Sequence, residues 1–267
     1  MPPEAAMGQV LLVGAGPGPA DLLTVRALRA IESAEALLYD ALVDDEVLAL
    51  APRRCTRIQT GKRAGRASMD QAAINRLMLQ LAQRGLRVVR LKGGDPSVFG
   101  RVGEERQFLE AQGVPVEVIP GVTAACAAAA QFGFPLTHRG EARRVVFTTA
   151  RTEAGAVAVD WAAAADRQAT LAIYMGGSAA EELRERLIAA GRPASTPALA
   201  VENAGAPGAR LSLGTLDELP ALAACENGGP VLIVVGEAAA WARDTRCVSS
   251  ATSPWSSPPV RRRVSGS

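Results

Sequence analysis

Residues 87–91 form a short β-branched, apolar run, and after Lys92 it breaks into Gly93, Gly94, Asp95 and Pro96. Adjacent glycines weaken any helix or strand interior, and the proline ring removes a backbone donor. The pattern therefore predicts a buried strand that ends in a loop. A helix should begin near Glu104 and Glu105, whose charges suit the positive end of its dipole. Open α/β sheets bind ligands beyond the carboxyl ends of their strands, which makes Gly93, Gly94 and Asp95 candidate binding residues. Glycines allow left-handed angles and a close approach, and Asp95 offers a charge. An ordinary strand–turn–helix junction would use the same residues, so this stretch alone leaves both readings open.

The rest of the chain repeats the pattern. Runs at 9–13, 36–39, 56–59 and 115–119 predict strands, separated by helical patterns from about Asp21, at 44–50 and at 70–83. Asp21 is the expected cap of its helix, and Gly85 the expected stop of the 70–83 helix. Strands alternating with helices imply a parallel sheet with crossover connections. The texture changes at 134–140, read as a link between domains. Beyond it, strands near 145–149, 170–175, 198–202, 210–213 and 231–235 include two close neighbours, which suggests a hairpin and a mixed sheet. The expected organisation is two α/β domains, 9–138 with a parallel sheet and 139–244 with a mixed one. A Ser/Pro/Arg-rich tail at 245–267 cannot bury a core and is expected to be disordered.

Charge is almost balanced, with 29 basic and 27 acidic residues, which gives no reason to expect a nucleic-acid or membrane partner. A single histidine, His138, excludes a His-rich metal site, so no metal is expected. The four cysteines lack C-x-x-C spacing and read as free thiols in a reducing compartment. No signal pattern opens the chain, and no apolar run approaches the ~20 residues of a membrane span, so a cytoplasmic location is expected.

Gly14-Ala15-Gly16-Pro17-Gly18 follows the first strand, and Asp40 ends the second about 20 residues on, a spacing known from dinucleotide sites. Two prolines argue against that reading. Pro19 stands where the third glycine of G-x-G-x-x-G belongs, and Pro17 and Pro19 together remove two donors from a loop meant to cradle phosphate. A loop poor in donors suits a ligand without phosphate. A nicotinamide enzyme and a plain tight turn remain the alternatives on this motif alone.

Nine stretches in order, VGAGPG (13–18), YDALV (39–43), GKRAG (61–65), RLKGGDPSVFGRVGEE (90–105), IPGVTAA (119–125), FPLTHR (134–139), IYMGG (173–177), PALAVEN (197–203) and VLIVVGE (231–237), make the chain resemble the tetrapyrrole methylases over about residues 9–240. The resemblance implies two α/β domains with S-adenosylmethionine in the cleft between them, in a homodimer. It implies C-methylation of uroporphyrinogen III at two ring carbons to give precorrin-2, for sirohaem or corrinoid synthesis, with S-adenosylhomocysteine as by-product. A methyltransferase for a later corrin precursor and a catalytically silent S-adenosylmethionine-binding protein are the alternatives. Carried over by motif, the cofactor contacts are Pro17, Gly93, Gly94, Asp95, Val98, Thr123, Ala124, Met175 and Ala204. Asp40 becomes the proton acceptor, Lys62 the proton donor, and Arg101 a residue near the substrate.

Simple chemistry suits these roles. A porphyrinogen ring carbon is an enamine-like nucleophile, so attack on an activated methyl needs positioning more than a metal. The ring nitrogen sheds a proton as the methyl arrives, which gives a carboxylate such as Asp40 a function. Arg63, Arg66, Arg101 and Arg139 could pair with substrate carboxylates. The bland readings are a helix cap for Asp40, a solvated charge for Lys62 and core packing for Met175. The chain departs from the family's usual pattern at Pro19, Ala41, Ala67 and Ala204, where an acid, an arginine, a histidine and a glycine are usual.

Overall fold

The computed structural model describes residues 6–61, 69–150, 159–224 and 228–243. Five strands, β1 (Gln9–Gly14), β2 (Ala36–Tyr39), β3 (Thr56–Gln59), β4 (Arg87–Lys92) and β5 (Val116–Ile119), form a sheet in the order β3-β2-β4-β1-β5. Every pairing in it is parallel. Helices α1 (Val25–Glu32), α2 (Asp45–Ala49), α3 (Gln71–Gln83) and α4 (Val102–Ala111) cross between these strands, and α5 (Ala124–Phe132) follows β5.

Successive residues of a strand point to opposite faces, and here both faces are covered. Leu11, Val13, Val89 and Leu91 pack with Ile31 of α1 and Val47 of α2. Val10, Leu12 and Val88 pack on the other side with Met78 of α3 and Leu109 of α4. Two-sided burial explains why β1 and β2 read as continuous apolar runs.

The second sheet contains β6 (Arg144–Thr149), β7 (Ala169–Tyr174), β8 (Pro197–Glu202), β9 (Arg210–Thr215) and β10 (Val231–Val235), in the order β6-β7-β10-β8-β9. The β6–β7 pair is parallel and the others antiparallel, and β8–β9 is the expected hairpin neighbour pair of a mixed sheet. One face is covered by α7 (Ala180–Ala189) and α8 (Leu219–Leu222), through Leu183, Leu187 and Leu219. The other face is covered by α5, whose Ala125, Ala128 and Phe132 meet Ala172, Leu199, Val201 and Leu232. The alanines of α5 let helix and sheet approach closely. A short helix, α6 (Trp161–Ala164), precedes β7. Buried Arg192 lies behind it, donating to the carbonyls of Ala164, Asp166 and Ala169.

Two helix starts differ from expectation. Residues Ala20–Leu22 form a 3₁₀ turn, and α1 begins only at Val25. Its cap is Thr24, in extended geometry, whose Oγ1 accepts from the Ala27 N–H at 3.1 Å, so the role expected of Asp21 falls to a residue with the right backbone angles. Helix α4 starts two residues earlier than expected, because Arg101 takes a left-handed conformation that turns the chain straight into it. Among the described residues, no helix is long and apolar enough to cross a membrane.

Candidate functional site

The loops after β1, β4 and β5 meet backbone to backbone. A Cβ on Gly14 would lie 2.5 Å from the Gly121 nitrogen and 2.7 Å from the Gly94 oxygen, so only glycine fits there. Gly16 and Gly94 exchange backbone hydrogen bonds at 2.7 and 3.2 Å. Gly94 adopts φ +70°, whereas Gly93 stays out of the left-handed region. Asp95 locks the junction. One carboxylate oxygen accepts from the Gly121 N–H at 2.9 Å, and the other accepts from the N–H and hydroxyl of Ser97.

These loops form one wall of a cleft of about 850 Å³, and the ends of β7, β8 and β10 form the other. Pro17, Gly93, Gly94, Asp95 and Val98 line the first wall. Thr123 and Ala124 line it at the start of α5, and Met175 and Ala204 face them from the second sheet. All nine residues expected to touch the cofactor are thus brought together. Asp40 and Arg101 stand outside the lining. Asp40, just past β2, has its side chain about one-third exposed, and its Oδ1 lies 2.6 Å from Nη2 of Arg90. Arg101 folds onto Glu104 with contacts of 2.7 and 2.8 Å, which hold the Glu104 carboxyl below the usual carboxylate range. Lys62, Arg63 and Arg66 lie outside the described residues, and Arg139 is exposed.

The charged side chains lining the cleft are Asp44 and Asp95, and no described lysine or arginine lines it. The site therefore favours a ligand carrying positive charge and no phosphate. Among the described residues no cluster of His, Cys, Asp or Glu could hold a metal ion.

Sequence reasoning missed Tyr174, Phe99 and Leu42. Tyr174 ends β7; its hydroxyl lies 2.7 Å from Thr123 Oγ1 and accepts from the Ala125 N–H at 3.2 Å. Burial pushes the Tyr174 phenol up, so it stays protonated. Its ring packs against Phe99 at 5.1 Å and Phe147 at 5.9 Å. Phe99 and Leu42 project into the cleft with 40% and 63% exposure, apolar surface that no core explains. Phe99, Met175 and Asn203 all line the cleft with positive φ, the kind of costly backbone that gathers at functional sites. The available signal was adjacency, since Tyr174 precedes Met175 and Phe99 follows Val98.

Residues 9–220 match the family model described as Tetrapyrrole (Corrin/Porphyrin) Methylases. The chain is similar to siroheme synthase 1 of Serratia proteamaculans, 48% identical over 88% of this chain and 49% of that protein. It is 41% identical to the uroporphyrin-III C-methyltransferase of Thermus thermophilus, solved with S-adenosylhomocysteine, with a TM-score of 0.74 covering 86% of this chain and 98% of that one. A cobalt-precorrin-4 methyltransferase of cobalamin biosynthesis is 27% identical with a TM-score of 0.77, covering 86% of this chain and 95% of that one. The parallel sheet, the mixed sheet and the glycine-walled cleft define a two-domain α/β methylase, and the chain belongs to the tetrapyrrole methylases. It spans about half the length of the siroheme synthases that it matches.

Proposed function

We propose that the protein methylates uroporphyrinogen III at two ring carbons, using S-adenosylmethionine and giving precorrin-2. The observation that carries this reading is the charge of the cleft. Asp44 and Asp95 line it without a described lysine or arginine, beside a loop in which Pro17 and Pro19 offer no N–H. A sulfonium cofactor with an amino-acid end suits such a site, whereas a pyrophosphate would meet negative charge and few donors. The Thermus thermophilus protein solved with S-adenosylhomocysteine supports the same cofactor.

When bound, S-adenosylmethionine supplies a methyl carbon made electrophilic by its sulfonium. Gly93 and Gly94 leave room for the ligand to lie against the backbone, and the positive end of α5 opens on the cleft at Thr123 and Ala124. Asp95 holds the loops in register through Gly121 while keeping a negative charge at the wall. Leu42, Phe99 and Tyr174 give the macrocycle an apolar surface and keep water off the reacting carbon. Asp40 takes the proton that the ring nitrogen loses as the new carbon–carbon bond forms, and Lys62 is the proton donor in this reading. Arg101 and Arg139 pair with the substrate's carboxylates. The active form is a homodimer.

A later corrin precursor is the second reading, supported by the likeness to the cobalt-precorrin-4 methyltransferase. An anaerobic assay with S-adenosylmethionine and enzymatically made uroporphyrinogen III, read by mass spectrometry, separates the two. A product two methyl groups heavier is the expected result. Unchanged uroporphyrinogen III, from protein that binds S-adenosylhomocysteine in the same preparation, overturns the substrate assignment.

A further inference from the structure

Beneath the loop that carries Phe99 and Arg101 lies a buried set of charges with no part in the chemistry above. Arg90 and Lys92 sit on β4, two residues apart and therefore on one face of the sheet, with 2% and 4% exposure. Glu105 of α4, wholly buried, lies between them. It accepts from Lys92 Nζ on both oxygens at 2.9 Å, from Arg90 Nε at 3.3 Å and from Gln71 Nε2 at 3.1 Å. Gly100 closes over the lysine stem, since a Cβ there would come within 3.2 Å of Lys92 Cε.

Two cations on one carboxylate leave one positive charge over, and a buried unpaired charge is costly. Asp40 supplies the fourth charge through its 2.6 Å contact with Arg90 Nη2. Arg90 is fixed at every other nitrogen. Its Nε meets Glu105, and its Nη1 donates to Thr60 Oγ1 and to the Leu91 carbonyl, both at 3.1 Å. The Thr60 hydroxyl lies 3.3 Å from the same Asp40 oxygen and 3.1 Å from the Tyr39 carbonyl. Oδ1 of Asp40 is thus clamped from two sides, while Oδ2 accepts no hydrogen bond among the described residues.

We propose that Arg90, anchored by Glu105 and backed by Thr60, is a positioning residue that holds Asp40 Oδ1 and leaves Oδ2 to receive the substrate's proton. This rests on the reading of Asp40 as proton acceptor. Lys92 balances the charge of Glu105 so that Arg90 remains available to Asp40. The arrangement resembles the way an aspartate orients a catalytic base elsewhere, with the signs exchanged.

The test is anaerobic steady-state kinetics on Thr60→Val, Arg90→Met, Arg90→Lys and Asp40→Asn, with thermal melting and S-adenosylhomocysteine calorimetry on each. Misplacing a reacting group by about 1 Å costs about 10²-fold in rate, so Arg90→Met should lower kcat by about that factor. Thr60→Val should lower it several-fold, Arg90→Lys should recover part of the loss, and the KM for S-adenosylmethionine should stay near the wild-type value. If Arg90→Met does not fold, Thr60→Val decides, because it exchanges one hydroxyl for a methyl group and removes no charge. Wild-type kcat in folded Thr60→Val and Arg90 variants, with Asp40→Asn inactive, overturns the positioning role alone. Wild-type turnover in Asp40→Asn overturns the reading of Asp40 and the proposal with it.

Discussion

The Tyr174 hydroxyl lies 2.7 Å from Oγ1 of Thr123 and joins the end of β7 to the start of α5 across the floor of the cleft. Thr123 is the N-cap residue of α5, yet its own side chain caps no N–H of that helix. The tyrosine does so instead, accepting from the Ala125 N–H at 3.2 Å. A helix end is therefore completed by a strand of the second sheet, and the geometry of the first wall depends on it.

Tyr174→Phe keeps the ring contacts with Phe99 and Phe147 and removes only the hydroxyl. Losing one cap and one side-chain bond should lower stability by about 1–2 kcal/mol, read as a lower guanidinium midpoint. A midpoint equal to wild type would show that the bond contributes nothing to the fold.

Asp40→Asn keeps the shape of the side chain and removes the proton acceptor. Turnover should fall by about 10²- to 10⁴-fold while calorimetry shows unchanged S-adenosylhomocysteine binding, because Asp40 lies outside the cleft lining.

Gly93→Val tests the cofactor wall without breaking the fold. A Cβ on Gly93 would lie 3.5 Å from the Leu42 Cβ, an ordinary contact, and φ there is not left-handed. The branched side chain instead crowds the ligand. Overpacking of about 1–3 kcal/mol corresponds to about 5- to 150-fold weaker S-adenosylhomocysteine binding, with a melting temperature close to wild type. Wild-type affinity would place the cofactor elsewhere.

Arg192→Met should be costly far from the site. The buried guanidinium satisfies the carbonyls of Ala164, Asp166 and Ala169. Leaving them unpaired should lower stability by about 2–4 kcal/mol in chemical denaturation.

The Arg101–Glu104 pair predicts a pH dependence with a definite sign. Arg101 holds the Glu104 carboxyl below its ordinary value, so the pair stabilises the fold above the ordinary carboxylate pKa. That contribution is lost as the pH falls through the depressed value. Both side chains are about half exposed, so the effect stays under about 1 kcal/mol. Arg101→Gln should return the Glu104 carboxyl to its ordinary range in an NMR titration, and an unmoved titration would mean that another group sets it.

The strands, the parallel character of the first sheet and the mixed character of the second are legible in the sequence, whereas the order of the strands is not. The nine residues that gather on the cleft are legible through the resemblance to the tetrapyrrole methylases, with Gly93, Gly94 and Asp95 also marked by their place after a strand. These follow from local rules: apolar runs buried on both faces, glycines where backbones touch, prolines that remove donors, and motif matches within single loops. Asp40 is legible as a carboxylate at a strand end. What surrounds it is not, because Arg90 is 50 residues away and Thr60 is 20. In the sequence Glu105 reads as a dipole-matching acid of an exposed first turn, yet it is the most buried charge of its cluster. The trans cap at α5 and the packing of α5 on the second sheet are hidden for the same reason. Local spacing specifies which elements form and where they break. Only the packing of those elements decides which charges share a buried space, and there electrostatic pairing selects the partners.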